Sequence, residues 1–81
     1  MKITITLNSI NSRTIDEVVR KILVAVPAKE FKDSYAEVAP AVIKNDIRTL
    51  TRKIIFVQPT DKAVKVLSKI DVPHDVDIFI R

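Results

Sequence analysis

The 81-residue chain contains no glycine at all. Phosphate-cradling loops of the P-loop and dinucleotide types need glycine where the backbone closes on the phosphates, so nucleotide enzymes built on them are excluded. Cysteine is absent too, which removes disulfide frameworks, thiol nucleophiles, redox motifs and cysteine-based zinc sites together. The only histidine is His74. No site in one chain can then collect two histidine ligands, and a Ser-His-Asp arrangement would have to use that residue, which leaves little room for hydrolase chemistry. Long apolar runs are missing as well. The longest, Ile22 to Val26, falls far short of the 18 or so residues of a transmembrane helix, and no membrane partner is expected. A strand pattern starts directly after Met1 and leaves no space for a signal or transit peptide. The chain is therefore expected to act where it is made, or to have lost a targeting segment.

What is present argues for folding. Leu, Ile, Val and Phe together make up 30 of the 81 residues, well above the roughly 20% below which chains tend to stay disordered. The length allows a single small domain over residues 1–81. The net charge of +4 is unevenly placed: residues 41–81 carry eight bases against five acids, the first forty six against five.

Lys2 to Asn8 alternates strictly, with Ile3, Ile5 and Leu7 on one face, the period of a half-buried strand. Ile15, Val18, Val19, Ile22 and Leu23 then fall on one helical stripe. Thr14 and Glu17 have capping-box spacing, which predicts a helix from near Thr14 to before Pro27. Val24, Ala25 and Val26 either finish that helix or begin a short second strand, and the strand is the favoured expectation. Residues 24–42 are the least legible stretch. Phe31, Tyr35 and Val38 keep a helix-like spacing that Pro40 would end, yet the charges between Lys29 and Glu37 suit an exposed connection equally well.

From Ile43 to Val57 the β-branched content returns, basic in the middle and apolar at the end, and predicts a third strand. Pro59 and Thr60 announce a second helix from Asp61 to about Lys69, with Thr60 as N-cap and Ala63, Val64, Leu67 and Ile70 as its buried stripe. Val76, Ile78 and Ile80 alternate with Asp77, Phe79 and Arg81 as a closing strand. The order strand, helix, strand, strand, helix, strand predicts an α+β, ferredoxin-like split βαβ sandwich. Two helices would cover one face of a mostly antiparallel sheet and leave the other free for a partner.

Ile47-Arg48-Thr49, Arg52, Val57, Pro59-Thr60, Lys62, Val64, Leu67, Asp71 and Val76-Asp77 with Ile80 resemble the C-terminal half of the small-subunit ribosomal protein S ten family, with its I-R-T segment, V-x-P-T-x-K helix start and final V-D strand. Arg13 and Ile15-Asp16 are similar to that family's R-x-I-D helix start. The resemblance covers residues 2–23 and 45–80 and falters between. The family's G-P-x-x-x-P-T-R segment is not legible, and the chain is too short there for its long projecting hairpin. Leu50 replaces the histidine expected after I-R-T, and Asp75 stands where a glycine usually precedes V-D. A trimmed, divergent member is implied, of a mitochondrial or plastid ribosome rather than of the bacterial cytoplasm.

The resemblance implies a non-enzymatic constituent of the small-subunit head that holds rRNA and neighbouring ribosomal proteins, with no cofactor, metal or small-molecule substrate. Relatives of that family also serve as the antitermination factor NusE. Arg13, Lys44, Arg48, Thr49, Arg52 and Lys53 are the candidate rRNA contacts, because lysine and arginine neutralise phosphates and a helix start attracts them. The competing reading of these residues is a solvated strand edge. Phe31 and Tyr35 are the candidate protein-partner anchors, against simple packing. His74 reads as a surface loop residue, and Asp71, Asp75 and Asp77 as turn and strand carboxylates. The alternative function is a free-standing ferredoxin-like RNA-binding or regulatory module. An acylphosphatase-like enzyme has Arg13 in its favour but would need a glycine-rich anion loop.

Overall fold

In strand β1 (Lys2–Ser9) the alternation predicts burial correctly: Ile3, Ile5 and Leu7 are buried, and Ser9 continues the buried set. The computed structural model describes all 81 residues. Helix α1 (Ser12–Ala25) starts two residues earlier than the Thr14 pattern suggests, because Asn11 is the cap. Its side-chain oxygen accepts from the Thr14 backbone N–H at 3.1 Å, and its own N–H donates to Ser9 Oγ at 3.1 Å. Asparagine is as good an N-cap as serine or threonine, and it sits one turn upstream of the box read from the sequence. Ile15, Val18 and Ile22 are its buried stripe.

Val24 and Ala25 belong to this helix, and Val26 leaves it buried and extended, so no strand forms at 24–26. A single 3-10 turn (Ala28–Glu30) follows. Strand β2 (Asp33–Lys44) then occupies the stretch expected as an exposed connection with helical turns, and β3 (Ile47–Val57) pairs back along it. Ile43 and Lys44, expected to open the third strand, instead end the second. A β2–β3 hairpin therefore occupies the stretch that the sequence reads as a connection.

Its turn explains why it was missed. Asn45 and Asp46 both take left-handed φ, 52° and 64°, as a two-residue turn between twisted antiparallel strands requires. Sequence signals for that turn rely on glycine, and a chain without glycine uses the two side chains that best tolerate the conformation. A bulge between Ala39 and Val42 absorbs Pro40 on the edge strand, where a missing N–H costs no ladder bond.

Helix α2 (Asp61–Ser68) is capped by Thr60, whose hydroxyl accepts from the Ala63 N–H and donates to the Glu30 carboxylate. Ala63 and Leu67 are buried with Val66 half-buried, whereas Val64, expected on the inner stripe, is 39% exposed. Strand β4 (Asp77–Ile80) closes the sheet.

The strand order is β2-β3-β1-β4, antiparallel throughout, and the fold is the ferredoxin-like split βαβ sandwich. Ile3, Ile5, Leu7, Leu50, Ile54 and Phe56 face α1 and α2 and share one core with Ile15, Val18, Ile22, Ala63, Leu67 and Val76. The β2–β3 hairpin runs on past the Ser9–Leu50 row where β1 ends, and the molecule is 42 Å long against 21 and 17 Å across.

Replacing Asp46 with valine should destabilise the protein by about 1–2 kcal/mol, because a β-branched side chain clashes in the left-handed region. Asp46→Gly should be neutral or stabilising by about 0.5 kcal/mol. Urea unfolding midpoints of the two variants at equal m-value check the pair.

Candidate nucleic-acid interface

Strand β3 alternates without interruption from Arg48 to Phe56, so Arg48, Leu50, Arg52, Ile54 and Phe56 lie on the helix side and Thr49, Thr51, Lys53 and Ile55 on the other. The candidate phosphate contacts therefore divide between two faces. Arg48 and Arg52 do share a side, but their surroundings differ.

Arg52 sits where the hairpin meets the body, beneath the start of α1. Its Nε lies 3.2 Å from Asp16 Oδ1, its Nη1 donates to the Thr51 carbonyl at 3.2 Å, and its side chain is 15% exposed. A phosphate at Arg52 would have to compete with Asp16. The arginine instead ties the first turns of α1 to β3.

Arg48 is exposed beyond the end of β1, opposite Ile43, and Lys44 is exposed opposite Ile47. Around them Val42, Ile43 and Ile47 are 59, 71 and 54% exposed. Arg13 is exposed in the first turn of α1, at the end of the sheet from which the hairpin projects. The Arg52–Asp16 contact is the only ion pair in the protein, so 13 of the 14 lysines and arginines carry no acidic partner. Nine of the ten acidic side chains are equally unpaired, and the net charge is +4.

Lys53 and Thr49 lie on the face away from the helices, Lys53 exposed and Thr49 half-buried. Of the two aromatic candidates, Phe31 is half-buried with its ring edge-on to Phe56, centroids 5.0 Å apart, and so serves the core. Tyr35 is 40% exposed opposite Ile55, on the same face as Lys53.

The reading of single residues missed a shallow depression on that face. Thr4 and Thr6 of β1, Lys53 of β3, Phe79 of β4 and Arg81 line about 520 Å³ of open space. The signal was there: Thr4 and Thr6 alternate against the core residues of β1, and Phe79 and Arg81 against Val76 and Ile78. Only the strand order makes them neighbours, since Thr6 pairs with Phe79 on one side and Lys53 on the other.

His74 is exposed in the loop before β4, beside Lys21, Asp71, Val72 and Pro73. Asp71, Asp75 and Asp77 are not gathered into a set that could hold a metal ion. No protein-family model matches the chain, and no curated protein matches it either.

The Arg52–Asp16 pair is solvent-screened at its acidic end, where Asp16 is 53% exposed, so a double-mutant cycle of Arg52→Gln and Asp16→Asn should give a coupling below about 1 kcal/mol. Thermal unfolding of the four proteins measures it. His74→Ala, in an exposed loop, should stay within about 0.5 kcal/mol of the parent in the same assay.

Proposed function

We propose that this protein is a non-catalytic constituent of the small ribosomal subunit, an rRNA-binding component of its head that also packs against neighbouring ribosomal proteins. One observation carries the reading. The β2–β3 hairpin projects past the two-layer body, and its end presents Val42, Ile43 and Ile47 exposed beside Lys44 and Arg48, a surface that nothing in this chain covers. A monomer that ended its function there would leave a costly apolar tip in water. In an assembly, the aliphatic side chains fit a protein neighbour and the bases fit phosphates.

The resemblance to the ribosomal protein S ten family supports the same reading. The I-R-T segment, Ile47-Arg48-Thr49, opens the return strand of the hairpin, and the Pro59-Thr60 start lies at the cap of α2. The departures at Leu50 and Asp75 and the shortened hairpin favour a mitochondrial or plastid ribosome. Arg48, Lys44 and Arg13 are the phosphate contacts in this scheme, and Arg52 positions the helix start from which Arg13 reaches out.

The test is co-sedimentation of the tagged chain with small ribosomal subunits, expected to survive a high-salt wash. A chain found only in the free pool rejects the proposal. Lys44→Gln with Arg48→Gln should release the protein at lower salt than the parent. Affinity of the free chain for head rRNA should lose about 0.7–0.9 in the slope of log K against log salt for each phosphate contact removed.

A further inference from the structure

The sheet face turned away from the helices is uncovered, and its side chains form an ordered pattern. One row, Glu37, Lys53, Thr6 and Phe79, crosses all four strands, and the next runs from Tyr35 through Ile55 and Thr4 to Arg81, just past the end of β4. Phe79 is 52% exposed, a large flat ring held at the edge of the depression by a strand whose backbone is paired to β1. Lys53 and Arg81 stand beside it without an ion pair. Glu37, directly opposite Lys53, and Asp77 occupy the same face at its margins, but no Asp or Glu side chain lines the depression itself.

We propose that this face binds single-stranded RNA, with a base stacked on Phe79, neighbouring phosphates held by Lys53 and Arg81, and the Thr4 and Thr6 hydroxyls donating to sugar or phosphate oxygens. Charge complementarity selects the occupant. A protein partner seated by apolar contact would meet only one apolar side chain in five, and would leave Lys53 and Arg81 covered without partners. A polyanion satisfies both. An unpaired base supplies the flat π-face that the ring requires, whereas a duplex hides its bases in the stack. The site is distinct from the hairpin tip and does not depend on the ribosomal assignment.

Binding of a fluorescein-labelled oligouridylate to the full chain, followed by anisotropy across a salt series, tests it. Phe79→Ala should weaken binding about 5- to 100-fold, the range that stacking on one side chain supplies, whereas Phe79→Tyr should retain it. Lys53→Gln with Arg81→Gln should lower the salt slope by about 1.4, two single-strand phosphates at about 0.7 each. Unlabelled duplex RNA of the same length should compete poorly. All three substituted side chains are on an open face, and unchanged far-UV circular dichroism identifies variants that remain folded. Equal affinity of the parent and the folded Phe79→Ala protein overturns the proposal. So does loss of binding only in the Lys44→Gln, Arg48→Gln hairpin variant, or no saturable binding by the parent.

Discussion

Strand β1 is paired along both edges, to residues 50–57 of β3 on one side and to β4 on the other, and its inner residues Ile5 and Leu7 are completely buried. Every other contact is arranged around that pairing. β4 has no other strand to hold it, α1 packs onto the ridge that Ile5, Leu7 and Ile54 form, and the root of the hairpin is set by the last row, Ser9 opposite Leu50. The pairing joins residues some 50 positions apart, so its loop-closure entropy has to be overcome before the core rewards it. A domain of this size has little surplus with which to do so.

Strand β3 has two environments along one chain. From Leu50 to Phe56 its inner side is core. At Arg48 the same side faces solvent, because β1 has ended and no helix reaches that far. The hairpin therefore inherits strand geometry from the body and lends it to residues that do nothing for the body. Its free edge, β2, is blunted by Pro40, a bulge, Glu37 and Lys44, the usual protections against edge-to-edge association. The exposed Val42, Ile43 and Ile47 near the tip lie beyond these protections.

The absence of glycine also shapes the backbone. Three residues take left-handed φ, Asn45, Asp46 and Gln58, and none is glycine. Gln58 ends β3, with its N–H on the Met1 carbonyl at 2.8 Å, just before Pro59 and the Thr60 cap start α2. Both ends of β3 thus carry local strain that the ladder holds in place. The basic residues meanwhile remain almost wholly unpaired: Arg13, Lys44 and Arg48 stand on the hairpin and the start of α1, Lys53 and Arg81 on the open face of the sheet, and others, such as Arg20 and Lys21 on α1 and Lys62 and Lys65 on α2, on the helices.

The sequence by itself determined the elements whose signals are local. Strict alternation in β1, the stripe of α1, the Thr60 cap with its helix and the closing strand follow from period and capping, which depend on neighbours three or four positions away. The ferredoxin-like class followed from their order only together with the third strand and a second strand expected at 24–26, whereas the second strand is Asp33–Lys44; the missing glycine, cysteine and second histidine set the chemical exclusions. Tertiary structure alone decided the rest. Asp33–Lys44 is a strand because β3 supplies its hydrogen-bond partners, while its own exposed, mixed side chains follow no clean period. The Asn45-Asp46 turn works only between strands already brought together. Arg52 looked like Arg48 on paper, and became a tether because Asp16, 36 positions away, arrives over it with the start of α1. Phe79, Lys53, Arg81, Thr4 and Thr6 are scattered in sequence and adjacent in space, because the sheet places β1 between β3 and β4.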